Sequence, residues 1–166
     1  MFHLKEQKAK LNHVNGRVEK NVEERAFDLK ITLEMHNTVL HMFHDHLLDA
    51  FYKVDPEADM VDAEKGHRTL LKFLKLAPVH WGHEMVECGV TIGYGIGGAS
   101  DILLNGCKVN NFVFTLKEGG SVSISLRIIA HPDPDDIAKL CELMQQEITL
   151  SINPPDPKTA AELFDK

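Results

Sequence analysis

Residues Cys107–Asn153 read CKVNNFVFTLKEGGSVSISLRIIAHPDPDDIAKLCELMQQEITLSIN, and this stretch decides the fold. Phe112, Phe114 and Leu116 stand at alternate positions, and so do Val122, Ile124, Leu126, Ile128 and Ala130. Period-two alternation on both sides of a glycine pair is a β-hairpin signal. A two-residue loop would set Leu116 opposite Ser123 and mix apolar with polar on one face. A three-residue loop, Glu118–Gly120, sets Leu116 opposite Val122 and Phe114 opposite Ile124. A strand with one buried face selects the second register, and Gly120 supplies the left-handed position that loop needs.

A helix start follows. Asp133 has the chemistry of an N-cap, Pro134 suits the first helical position, and Asp135 and Asp136 complement the positive end of the helix dipole. Ile137, Leu140, Cys141 and Met144 then recur at helical spacing. At Glu147 the period returns to two, with Ile148, Leu150 and Ile152 on one side, and Pro154-Pro155 ends the strand. The unit packs one helix on a sheet and carries no evident catalytic group.

The chain before this unit is less regular. Ala9–Val14 and Arg17–Val22 read as two short strands around an Asn15-Gly16 turn, the second a polar edge open to self-association. Phe27, Leu29, Ile31, Leu33 and Met35 alternate within a half-buried strand over 26–36. Asn37 is expected to cap a helix running to about Tyr52, with Leu40, Phe43, Leu47 and Phe51 inward. Residues 55–66 read as an acidic loop. Residues 69–76 fit helix or strand until Pro78 stops them. Val86, Cys88, Val90, Ile92, Tyr94 and Ile96 alternate along a long strand, which a glycine-rich turn ends. Ile102–Leu104 is expected to be a short strand closed by an Asn105-Gly106 hairpin turn. The expected architecture is α+β: a mostly antiparallel, sandwich-like β-sheet with two α-helices, one domain over residues 1–153, and an exposed tail over 154–166.

The 166 residues, 43% apolar, suffice for one core. No apolar run approaches the roughly 20 residues that span a bilayer, and the N-terminus lacks a signal-peptide core. A soluble, cytoplasmic protein with no membrane partner is expected. Cys88, Cys107 and Cys141 form no CxxC pair and read as buried free thiols. The net charge of −7 disfavours a duplex-DNA binder. It suits solubility, and it also suits docking on a basic partner surface.

Chemical motifs are sparse. His41 and His44 can share a helix face, with His46 turned away. A zinc site needs three or four converging ligands, so these histidines read as solvated and no metal or cofactor is expected. Gly93–Gly98 lacks the Gly-Lys-Ser/Thr ending of a phosphate loop. There is no GxSxG elbow, and the alternation buries Cys88. The carboxylates at 133, 135 and 136 are explained as helix-start chemistry. A non-enzyme is expected. Lys5, Lys8, Lys10, Arg17 and Lys20 are the residues that would contact phosphates if the chain binds single-stranded DNA, although few aromatics accompany them.

KLNHVNGRVE (Lys10–Glu19), DLKITLE (Asp28–Glu34) and NNFVFTLKEGGSVSISLRIIAHPDPDD (Asn110–Asp136), in that order and spacing, resemble uncharacterised accessory proteins of tailed phages and prophages. The resemblance implies a phage or prophage origin and the host cytoplasm as the setting. It implies no catalytic or binding residue. The expected function is a non-catalytic accessory protein that binds a host or phage protein, in one form inhibiting a host nucleic-acid-targeting defence complex. The alternative is a single-stranded DNA-binding or recombination accessory protein. A virion component is a third class, and homo-oligomers fit all three.

Overall fold

The computed structural model describes residues 1–20, 23, 25–61 and 66–156. Its strands are β1 (Leu4–Arg17), β2 (Ala26–His36), β3 (Tyr52–Val54), β4 (Arg68–Leu71), β5 (Val79–Trp81), β6 (Met85–Ile92), β7 (Ile102–Leu116), β8 (Ser121–Ala130) and β9 (Glu147–Asn153). The helices that bear on the site are a 3₁₀ segment (Asn37–Met42), α1 (Leu47–Phe51) and α2 (Pro134–Glu142).

The main sheet runs β5-β7-β6-β9-β1-β2-β8, and β8 pairs again with β7. Every pairing is antiparallel. The sheet therefore closes on itself, and its facing halves pack across one core as the layers of a sandwich do. β1 and β7 make the closure geometrically possible. Each is long and pairs with different strands along its length: β1 pairs with β9 through residues 4–10 and with β2 through residues 10–17. β7 pairs with β6 over its first half and with β8 over its second. The α+β, mostly antiparallel architecture read from the sequence holds.

The deciding hairpin has the expected register. Leu116 faces Val122, Phe114 faces Ile124, and Gly120 has φ +92°. Val122, Ile124, Leu126, Ile128 and Ala130 are all buried. Each of the valine, leucine and isoleucine side chains contributes about 1.5–3 kcal/mol by leaving water. Closure puts that continuous apolar stripe inside the barrel and the Ser123, Ser125 and Arg127 positions outside.

Each mouth of the barrel is covered. Asn37 continues from β2, and its backbone N–H donates to Gly120 O at 2.8 Å. Behind it Phe43 meets Phe114, Phe2 and Phe112 with ring centroids 4.8, 5.0 and 5.1 Å apart. Tyr52 is fully buried, and its hydroxyl donates to Lys117 O at 2.8 Å. At the other mouth α2 links the end of β8 to the start of β9. Asp133 accepts from the Asp136 N–H at 2.8 Å, with Pro134 at the helix start, as expected. Lys139 Nζ donates to Ser100 O at 3.1 Å, which ties α2 to the β6–β7 loop. Leu140 is buried beneath the helix.

Several expectations are corrected. The helix over 37–52 is broken into the 3₁₀ segment and the five-residue α1. Asn37 does not cap it: His36 does, while the buried Asn37 amide donates to Arg68 O at 2.6 Å. That bond ties the segment to β4, and the tie displaces regular helix. Asn15-Gly16 is not a turn. Gly16 lies inside β1 opposite Phe27, where a Cβ would stand 3.1 Å from the Phe27 ring. The glycine is thus a close-approach site for an aromatic ring, which outweighs its turn propensity. Arg17 pairs with Ala26 on β2, and the expected strand end at 21–22 lies outside the described residues.

Asn105-Gly106 is a bulge within a continuous β7, with Gly106 at φ +64°. Pairing with β6 outcompetes the local hairpin, and the extra residue is absorbed as bulges usually absorb one. A second bulge at Glu87, φ +56°, shifts the phase of β6. Met85 rather than Val86 turns inward, and β6 stops at Ile92, leaving Ile96 exposed. Residues 69–76 resolve into the end of β4 followed by an exposed turn. The tail is described only to Asp156, without regular structure, and residues 157–166 lie outside the described residues.

Candidate contact surfaces

A continuous cluster of buried apolar side chains occupies the barrel interior, and the hollows described below lie on its outer face. The most unusual is the turn Lys72-Phe73-Leu74-Lys75-Leu76-Ala77-Pro78, all of it exposed. Phe73 is 58% exposed, Leu74 73% and Leu76 46%. The turn is anchored at both ends. Lys72 N–H donates to Phe51 O at 2.9 Å, and its Nζ donates to Asp49 O. Leu76 N–H closes the turn on Phe73 O at 3.3 Å. Beyond Pro78, β5 is hydrogen-bonded to β7. Isolated exposed leucines are ordinary, whereas here three large apolar side chains adjoin on one anchored turn. From the sequence residues 69–76 fitted helix or strand, and the structure gives a short strand followed by an irregular turn. Their exposure follows from Pro78 and from where β4 ends.

The five basic residues proposed for DNA do not line one groove. Lys8 and Lys10 flank a hollow of about 600 Å³ on the outer face, which Glu34 and Glu147 also line. Lys8 Nζ lies 3.6 Å from Glu147. Lys5 borders a separate hollow beside Thr91 and Thr149. Arg17 stands 3.4 Å from Glu19 and 3.2 Å from Asp28, and Lys20 is exposed in the turn after β1.

His41, His44 and His46 are exposed. The broken helix changes their grouping. His44 and His46, not His41 and His44, approach each other, with rings 5.5 Å apart and the His46 N–H donating to His44 Nδ1 at 3.1 Å. Among the described residues no three His, Cys, Asp or Glu side chains are placed to share a metal ion. None of the described helices is long and apolar enough to cross a membrane.

The thiols divide. Cys88 and Cys107 are cross-strand partners and fully buried, as expected. Burial, then the neighbouring Cys88, pushes the Cys107 thiol up to about 12. Burial, then Glu87, raises Cys88. Cys141 is exposed, contrary to its place on the apolar stripe, and Leu143 packs on the core instead. The helix is short, so its inward face is narrower than the stripe implied. Since the thiolate is the reactive species, a thiol-exchange reagent at pH 8 is expected to modify one cysteine in the native protein and three after denaturation. Two or more fast native thiols would contradict this placement.

A polar row crosses the outside of the barrel. His13, Lys30, Arg127 and Asn110 occupy successive partner positions on β1, β2, β8 and β7. Arg127 Nε donates to Asn110 Oδ1 at 3.0 Å, and Asn110 Nδ2 donates to Glu84 Oε2 at 3.0 Å. The Asn110 amide, then Lys108, holds the Glu84 carboxyl below its usual range. A β7 bulge between Asn110 and Val113, with Asn111 at φ +54°, turns Asn110 under the arginine.

Comparison with protein-family models, with curated proteins and with solved structures finds no match to this chain.

Proposed function

We propose that the protein is a non-catalytic accessory protein that works by binding another protein, with Phe73, Leu74 and Leu76 as the anchors. The observation that carries this reading is the anchored turn 72–78, with its apolar side chains in solvent. A few fully buried anchors, aromatic ones above all, typically dominate interface energetics. Lys72 and Lys75 flank them, so the turn is basic on a chain whose net charge is −7. The complementary partner surface is an apolar groove with an acidic rim. Charge complementarity of this kind accelerates encounter and suppresses wrong partners. The resemblance to tailed-phage accessory proteins supports a phage or host protein in that place. Inhibition of a host nucleic-acid-targeting defence complex is the specific form we propose.

The test is capture from host lysate by three immobilised forms: wild type, Phe73→Asp/Leu74→Asp, and a His41→Ala control. A protein retained by wild type and control but lost from the double variant, with all three melting alike, supports the reading. Lys75→Glu is expected to weaken the same capture and its salt dependence. A partner retained equally by all forms would place the interface elsewhere.

A further inference from the structure

Lys30 and Arg127 stand directly opposite each other on β2 and β8. Directly opposed side chains in an antiparallel pair have Cβ atoms about 5 Å apart, and like charges there are destabilising. Among the described residues no carboxylate lies within ion-pairing distance of either cation. Asp28, two positions before Lys30, faces Arg17 at 3.2 Å instead. The two cations border a furrow of about 420 Å³, with His13 on one side and His80 on the other, and the Asp28 carboxylate, ion-paired with Arg17, is also part of its lining.

Arg127 is also held in place. Its Nε is occupied by Asn110, which Glu84 fixes in turn. Its terminal nitrogens meet no acceptor among the described residues. A guanidinium fixed through Nε, with its terminal nitrogens unoccupied and a second cation at the opposite register position, can offer parallel bonds to an oxyanion. A tetrahedral dianion bridges two cations better than a planar monoanionic carboxylate, because it offers separate oxygens and charge to each.

We propose that this furrow binds a phosphate group, with Arg127 and Lys30 as direct ligands and Asn110 as the residue that positions Arg127. The site is independent of the apolar turn. A phosphate monoester and a phosphodiester of a single strand present the same chemistry, and the test separates them.

Thermal melts at constant ionic strength, with inorganic phosphate replacing chloride, give the first readout. A ligand that binds only the folded state raises the melting temperature by mass action. Wild type is expected to gain several degrees in phosphate. Lys30→Gln is expected to melt at or above wild type without phosphate, because the opposed charges are gone, and to lose the gain. Arg127→Lys keeps the charge but loses the fork, and is expected to weaken binding roughly ten-fold or more. Titration with a nucleoside monophosphate and with a thymidine oligomer lacking terminal phosphates then names the source. Binding of the first alone assigns a free monoester, and binding of the oligomer assigns a strand backbone. An equal phosphate gain in wild type and Lys30→Gln, or no gain in wild type, overturns the proposal.

Discussion

Phe114→Ala is expected to lower stability by about 3–5 kcal/mol, the range for removing a fully buried aromatic ring. Phe114 has no exposure and touches the rings of Phe43 and Trp81, centroids 4.8 and 6.4 Å away. It therefore joins the barrel wall to the 3₁₀ segment over the mouth. At this chain length each kcal/mol moves the melting temperature by roughly 2–4 °C, so a fall of about 6–20 °C is expected. Phe73→Ala, in the exposed turn, is expected to stay within about 0.5 kcal/mol. Denaturant melts of both variants check the contrast. Equal losses would mean that the turn packs against the barrel.

The second large effect is at the opposite mouth. Leu140 is the buried residue of α2, and no other side chain of that helix replaces it. Leu140→Ala is expected to cost about 2–5 kcal/mol and to leave a hole under the helix. Hydrogen exchange should then quicken in α2 and in Gln145, whose N–H donates to Leu11 O at 2.7 Å. Cys141→Ala, one residue on, removes an exposed thiol and is expected to change little. If Cys141→Ala cost as much as Leu140→Ala, the helix would sit one residue rotated from the orientation described.

What could be read from sequence was whatever a single period determines. The β7–β8 register followed from Leu116, Phe114 and their partners, because a one-residue slip would have turned every apolar residue outward. The α2 start followed because Asp133, Pro134, Asp135 and Asp136 act through adjacent backbone groups. The errors share a cause: local propensity lost to distant pairing. Asn15-Gly16 carries a strong turn signature, yet Gly16 pairs with Phe27 inside β1, where a Cβ would stand 3.1 Å from the ring. Asn105-Gly106 became a bulge because β6 pairs along both sides of it. Asn37 had a cap's chemistry but is held by Arg68, 31 residues away. The closure of the sheet could not be seen either, since it depends on β1 and β7 changing partners along their length.

The candidate surfaces were still less legible. Lys30 and Arg127 lie 97 positions apart, and only the β2–β8 register makes them opposites. The apolar turn was visible as Phe73, Leu74 and Leu76, but nothing local distinguishes a buried apolar run from an exposed one. The N-terminal lysines were conspicuous because they cluster in sequence, and the strand then distributes them between separate hollows.

The central claim is that this barrel acts through its outer surface at residues 72–78. Site-specific photocrosslinking tests it most directly, with a photoreactive phenylalanine placed at Leu74 in one protein and at Ile96, exposed near the opposite mouth, in another. Irradiation in host lysate is expected to join one partner protein to position 74 and none to position 96. Adducts from 96 but not 74, or the same adducts from both, would contradict the account.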